Sequence, residues 1–350
     1  MIMEKRPINV LLVEDSPVVR LLLTHALNND PDLHVMGTAA DGGAAVAFVS
    51  QEKPDIVLMD VHMPNMDGFE ATRRIMETQP LPIIMCSATL EREEVTTTFR
   101  ALEAGALAFV EKPVGPGHQG FDRMMMELVQ SIKLMSEVKV VKRRMRSQRA
   151  EPLPATPKQA PSVKLIAIGA STGGPPVIQT VLSELPTSLP VPVLIVQHIA
   201  AGFLEGMVEW LRQTTGLQIQ MAVHGQQALA GHVYLAPDGF QMGIGPFGRI
   251  LLSDEPMENG LRPSVSYLFR SVASNFGGSS IGVLLTGMGR DGAEELKQMK
   301  DKGAVTIAQD AETSVVHGMP GEAIRLGGAT HILSPPQIAA FLGAMVSPPC

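Results

Sequence analysis

Cysteine and aromatic residues are nearly missing from this chain. Its two cysteines, Cys86 and Cys350, make neither a disulfide framework nor a metal-ligand spacing. Aromatic residues are 4% of the total, with one tryptophan, so the 21 methionines read as adaptable packing and not as a cofactor surface. No apolar run approaches the ~18 residues that a membrane-crossing helix needs, so no membrane insertion is expected. The N-terminus lacks a basic segment followed by an apolar one, which makes the cytoplasm the expected compartment. Basic charge is also short. With 28 Lys+Arg against 35 Asp+Glu the net charge is -7, which argues against nucleic acid as a partner. What is present is 45% apolar and 18% charged, the composition of a folded chain. A length of 350 residues implies about two domains, because single cores rarely grow past ~250 residues.

The most informative stretch is 164–174, K-L-I-A-I-G-A-S-T-G-G, followed by Pro175-Pro176 and an amphipathic pattern over 177–185. It reads as a buried parallel strand, a tight turn, and a helix whose first turn tolerates proline. Ser171 then stands where a strand's C-terminal end meets a helix N-terminus, the crevice in which open α/β sheets place their chemistry. Residues 169–173 fit G-x-S-x-G, in which glycines let the chain turn sharply enough to present a hydroxyl. The competing reading is structural: Ser171 or Thr172 caps the helix by accepting a bond from an orphan N–H.

The first 130 residues alternate strand and helix patterns. Short apolar strands are expected at 8–13, 33–37, 55–59, 82–86 and 108–110, and helices near 18–28, 43–51, 68–78, 93–104 and after Phe121. Such alternation implies a parallel sheet with helices on both faces. Polar residues cluster where these strands end: Glu14 and Asp15, Asp60, Ser87, then Glu111-Lys112-Pro113. Converging carboxylates repel unless neutralised, and a hard divalent cation such as Mg2+ resolves the conflict. A carboxylate beside such a cation, a lysine and a hydroxyl can accept a phosphoryl group. Helix capping by each carboxylate is the alternative, but it leaves the lysine and serine unexplained.

These residues resemble the response-regulator receiver family over roughly 7–130, through V-L-L-V-E-D-S, D-I-V-L-M-D-V-H-M-P-N-M-D-G, C-S-A and F-V-E-K-P. The resemblance implies a flavodoxin-like fold with Asp60 as phospho-acceptor. It gives Glu14, Asp15 and Asp60 to Mg2+, Ser87 and Lys112 to the phosphoryl group, and the role of aromatic switch to Phe109. The acidic pair is Glu-Asp, a tolerated variant, and Phe109 lacks the hydroxyl of the commoner tyrosine.

From 139 to 149 the chain carries six cations, followed by E-P-L-P-A-T-P-K-Q-A-P-S. A charge run ahead of a proline-rich segment marks a boundary with an extended spacer. The expected division is a first domain over 1–138, a linker over 139–162 and a second domain over 163–350.

In the second domain, an apolar strand over 191–196 ends in Gln197-His198, and another over 281–285 leads into T-G-M-G-R-D-G-A and a helical pattern over 293–300. His198 thus shares an edge with Ser171. The histidines stand without i, i+4 partners, which disfavours zinc. Gly287, Gly289 and Gly292 fit G-x-G-x-x-G, with Asp310 about twenty residues on, so an NAD-binding enzyme is a competing reading. Two features weaken it: the motif lies deep in the domain, and Asp291 would face a pyrophosphate with like charge. A carboxylate there suits orienting a histidine. Asp238, Asp254 and Asp310 remain open as the third member on spacing alone.

The chain order Ser171, His198, Asp291 differs from the α/β-hydrolase order. It resembles instead the chemotaxis protein-glutamate methylesterase family, CheB. The pieces that carry the resemblance are I-G-A-S-T-G-G, Q-H-I, G-H-V-Y-L-A-P, R-P-S-V, G-V-L-L-T-G-M-G-R-D-G-A and G-A-V-T-I-A-Q-D…V-V-H-G-M-P, over about 163–335. Ser266, just after R-P-S-V, stands where that family usually has aspartate. The resemblance implies a three-layer α/β/α catalytic domain beside the receiver, so two doubly wound parallel-sheet domains in all. It implies Ser171 as nucleophile, His198 as base and Asp291 as the residue fixing the imidazole. Backbone N–H groups around Thr172 and Met288 are candidates for stabilising the oxyanion, since both turns open helices. Substrates would be methyl-accepting chemoreceptors, demethylated at glutamate and deamidated at specific glutamines, with no cofactor for hydrolysis. A histidine kinase of the CheA type would be the phosphodonor, and the unphosphorylated receiver would occlude the catalytic edge. A catalytically inactive binding module is the third reading, although all three triad residues are present.

Overall fold

The structure is a computed structural model that describes residues 6–87, 106, 108–113, 115, 117–118, 120–138, 163–199 and 202–346. The helix expected over 93–104 and the linker over 139–162 lie outside the described residues. The chain divides into two compact units, Met1–Ser147 and Gln148–Cys350. No described helix is long and apolar enough to cross a membrane.

In the first unit, β1 (Ile8–Val13), β2 (Leu33–Ala39), β3 (Ile56–Asp60), β4 (Ile83–Ser87) and β5 (Ala108–Glu111) form a parallel sheet in the order β2-β1-β3-β4-β5. Each lies within two residues of its sequence expectation, as do the helices Pro17–Asn28, Gly42–Gln51 and Gly68–Thr78. β3 and β4 are buried along their whole length, as parallel strands covered on both faces must be. The helices are capped by Ser16, Asp41 and Asp67, which accept from Val19, Ala44 and Glu70 N–H. Capping therefore does not consume Glu14, Asp15 or Asp60. The strand order reverses between β1 and β3, which opens a crevice at their C-terminal ends.

The second unit holds a seven-stranded parallel sheet in the order β14-β13-β12-β6-β7-β9-β8. Its strands are β6 (Leu165–Ala170), β7 (Val193–Gln197), β8 (Gln218–Met221), β9 (His232–Leu235), β12 (Ser280–Leu284), β13 (Val305–Gln309) and β14 (His331–Leu333). Helices Val265–Asn275, Ala293–Asp301 and Met319–Arg325 pack side by side, and so do Gly174–Ser183, Leu204–Thr215 and Pro335–Val346. These two groups are the outer layers of a helix–sheet–helix sandwich. An antiparallel hairpin, β10 (Gln241–Ile244) with β11 (Ile250–Ser253), packs β10 against helix Val265–Asn275. Here the reversal falls between β6 and β12, so Ser171 and the turn after β12 open onto one crevice.

Close packing fixes that crevice. A Cβ on Gly169 would lie 2.3 Å from Val265 Cγ1, and one on Gly292 2.4 Å from the same atom. Val265, the first residue of its helix, is thus wedged between strand β6 and the turn carrying Asp291. Gly292 also sits at φ 80°, where only glycine is unstrained. Gly169→Ala overpacks this wedge at a cost of ~1–3 kcal/mol. Calorimetry of the full chain should show the second unit melting ~2–10 °C lower, the first unit unmoved, and part of the loss recovered by adding Val265→Ala.

Candidate active site

Ser171 stands one residue beyond β6, and its N–H donates to Thr286 O at 3.0 Å. The helix that follows has Gly173 as N-cap, at φ 75°, and no side-chain capping bond. The Ser171 and Thr172 hydroxyls are therefore not spent on capping. His198 follows β7, with its N–H donating to Ala170 O at 3.0 Å, so the ends of β6 and β7 are bonded together. Its ring Nε2 lies 2.9 Å from Asp291 Oδ2.

Asp291 is 2% exposed, and a buried anion needs donors. Its carboxylate accepts from Ser264 Oγ at 2.8 Å, Val265 N at 2.7 Å and Ser266 N at 3.1 Å. These N–H groups open helix Val265–Asn275, whose own N-cap, Ser264, makes no capping bond. Asp291 thus caps that helix from a different part of the chain. Burial, the largest influence, pushes its pKa up, but the bond and charge of His198 and the hydroxyls of Ser266 and Ser264 bring it down to about 2. Ser266 Oγ in turn accepts from Gly292 N at 2.9 Å.

Of the carboxylates that spacing left open, the one bonded to His198 is Asp291. Asp238 accepts from Gly202 N at 3.2 Å and is pushed up in pKa, chiefly by burial. Asp310 accepts from Thr313 N and Oγ1, and Asp254 O accepts from Arg262 Nη1 at 2.9 Å. The turn carrying Met288 lies against the serine: a Cβ on Gly287 would come within 2.7 Å of Ser171 Cβ. Among the described residues, the N–H groups of Thr172 and Met288 have no hydrogen-bond partner. In the G-x-G-x-x-G turn the acidic residue faces inward onto a helix N-terminus, and the Asp310 carboxylate is engaged by Thr313. Neither arrangement favours a dinucleotide.

In the first unit, ligand oxygens of Glu14, Asp15 and Asp60 lie within 4.8 Å of one another. Glu14 and Asp60 are buried, and Asp15 is exposed. Lys112 Nζ stands 2.8 Å from both Glu14 Oε2 and Asp60 Oδ2. Burial pushes the Glu14 pKa up, against its bond to Lys112. Burial works to lower the Lys112 value, but Asp60 and Glu14 raise it overall. Three carboxylates in one cluster fit a hard divalent cation. Ser87 is buried at the end of β4 and its carbonyl accepts from Lys112 N at 2.8 Å, while Phe109 sits half-buried on β5 opposite Met85.

Sequence reasoning passed over three residues that the geometry brings forward. Gln197 donates through Nε2 to the carbonyls of both Ser171 and His198, at 2.8 and 2.7 Å. Thr286 Oγ1 donates to Thr172 O at 2.9 Å. Ser264 holds Asp291. All three lay inside quoted motifs, but nothing in their spacing announces such partners.

Residues 166–342 match the family model described as CheB methylesterase, and residues 10–119 match that of the response regulator receiver domain. A protein-glutamate methylesterase/protein-glutamine glutaminase of Geobacter metallireducens is 53% identical over 97% of this chain and 99% of its own. The chain belongs to the CheB methylesterase family. A CheB relative of the same name from Nitrosospira multiformis is 50% identical over 97% of each chain. The crystal structure of the Thermotoga maritima CheB methylesterase catalytic domain is 34% identical with a TM-score of 0.51, covering 53% of this chain and 100% of that one.

The depressed Asp291 value links this site to acid stability. Its ordinary value is 3.8 and its folded value about 2. The ionised carboxylate therefore stabilises the fold above pH ~4, and this contribution, on the order of 2 kcal/mol, is lost as pH falls through ~2. Asp291→Asn should remove it. Urea midpoints of the second unit between pH 5 and 2.5 should fall less steeply for the variant than for the parent.

Proposed function

We propose that this chain is a phosphorylation-controlled hydrolase that removes methyl groups from glutamate esters of chemoreceptors and deamidates receptor glutamines, with Ser171, His198 and Asp291 as its triad. The observation that carries the reading is the His198–Asp291 pair at the same sheet reversal as Ser171. Family membership supports the activity. The three domain spans are 1–138, 139–162 and 163–350.

Ser171 Oγ attacks the γ-carbonyl carbon of the methylated glutamate as its proton passes to His198. Nε2 of the imidazole is bonded to Asp291, which leaves Nδ1 for this proton. Asp291, ionised and tied to a helix N-terminus, fixes the ring and favours its charged form. The carbonyl electrons move onto oxygen, where the N–H groups of Thr172 and Met288 stand as donors; each such donor is worth about 10²–10³ in rate. Collapse of the tetrahedral intermediate breaks the C–O bond to methoxide, which takes the proton from His198 and leaves as methanol. Water then attacks the acyl-serine, giving its proton to His198. The second collapse returns a proton to Ser171 Oγ and frees glutamate. A glutamine follows the same route with ammonia leaving.

In the receiver, Glu14, Asp15 and Asp60 are the residues that would hold Mg2+. When bound, that ion supplies positive charge for the oxygens of a phosphoryl group in transfer. Asp60 is the acceptor, and the donor is a kinase of the CheA type. Lys112, now paired with Asp60 and Glu14, is placed to meet the new phosphate oxygens. Ser87 contacts them, and Phe109 reports the change. Both activities belong to the cytoplasm, where the kinase and the receptors' cytoplasmic helices meet.

Ser171→Ala should abolish methanol release from methyl-labelled receptor membranes while leaving Asp60 phosphorylation intact, and His198→Ala should cost a comparable amount. A small phosphodonor with the divalent ion should raise turnover of the parent chain and leave Asp60→Asn unchanged. Turnover by Ser171→Ala at more than a small fraction of the parent rate would remove the nucleophile assignment.

A further inference from the structure

Gln197 is 4% exposed, and its side-chain amide is arranged at a cost. Its Nε2 serves two acceptors, the carbonyl oxygens of Ser171 and His198. Its Oε1 is buried with no hydrogen-bond partner among the described residues. That oxygen lies against the opening of helix Gly174–Ser183, where a Cβ on Gly174 would approach it to 2.1 Å. The helix opens Gly174-Pro175-Pro176. Gly174 N already donates to Ser171 O at 2.8 Å, and the two prolines have no N–H to give. An acceptor left unpaired in this way is unfavourable, and folds keep few of them. Turning the amide over would satisfy nothing, because its oxygen would then face two carbonyls.

What the NH2 group holds explains the arrangement. Ser171 C=O and Thr172 N–H belong to one planar trans peptide unit, so they point in opposite directions. Gln197 Nε2 and Gly174 N pin the carbonyl from one side, and the Thr172 N–H is thereby aimed to the other. Thr286 Oγ1 pins the next carbonyl, that of Thr172. The same Gln197 amide reaches His198 O, so base and oxyanion donor are set by one group.

We propose that Gln197 is a positioning residue that aims the Thr172 N–H at the developing oxyanion by fixing the Ser171–Thr172 peptide plane. This rests on the reading of Ser171 as the nucleophile. An oxyanion donor acts on the transition state and not on the bound ester, so its misalignment lowers kcat and leaves KM in place.

The test uses the full chain and methyl-labelled receptor membranes, with active serines counted by exhaustive labelling with a phosphonate ester. Gln197→Leu should lower kcat per labelled serine about 10–100-fold, with KM within about twofold of the parent. Gly174→Ala leaves the amide present but displaces it, and carries the same expectation should Gln197→Leu fail to fold. A merely structural role would reduce the number of labelled serines and leave turnover per labelled serine unchanged. That result, or a raised KM at parental kcat, overturns the inference alone. Absence of methanol release by the parent chain, or its persistence in Ser171→Ala, overturns the functional reading and this inference with it.

Discussion

The second unit depends on one buried anion. Asp291 is closed off from solvent, and its charge is tolerable only because donors converge on it from a hydroxyl, two helix N–H groups and an imidazole. Those donors belong to different segments, so satisfying the carboxylate also decides how the segments meet. The opening of helix Val265–Asn275 is drawn against the turn after β12, and Val265 fits between because Gly169 and Gly292 carry no side chain. His198 then completes the shell from the end of β7. Orientation of the imidazole follows from a problem in electrostatics that the fold had to solve anyway.

The two units place their polar residues by the same topological device, a reversal of strand order, but treat charge differently. Around Asp291 the compensating groups are mostly backbone N–H and hydroxyl dipoles, which have nowhere else to go. Around Asp60 the compensation is the ammonium of Lys112, shared with Glu14 on the tip of a flexible side chain. A fixed dipole cage suits a carboxylate whose state should never change. A mobile point charge suits the role proposed for Asp60, that of accepting a new group and being neutralised again.

Much of this was legible in the residues. The parallel strands read as apolar-rich runs, and each of 8–13, 55–59 and 82–86 sits within a residue of the observed element. Ser171, His198, Glu14, Asp15 and Asp60 were visible because strand ends at one edge converge whatever the detailed packing. Sheet order was not visible, and it separates Asp310 from Asp291: Asp310 follows β13, one strand farther out than β12. The hairpin β10–β11 also escaped the sequence reading. Its strands are four residues each and β10 is buried on both sides of its pleat, which leaves no alternation to detect. Gln197 was seen as a strand end and nothing more, because its partners lie in two turns that meet only in the fold.

Asp291 also has a life apart from the catalytic role proposed for it. It caps a helix, anchors a turn and sits in a packing wedge, whereas the hydroxyl of Ser171 makes no hydrogen bond among the described residues. Mutational drift on a gene copy relieved of its enzymatic work would therefore act unequally on the proposed triad. The serine would be free to vary, while the aspartate would still be retained by purifying selection for folding. Among descendants of this domain, an intact acid beside a missing nucleophile marks ancestry and foldability, and says nothing about turnover.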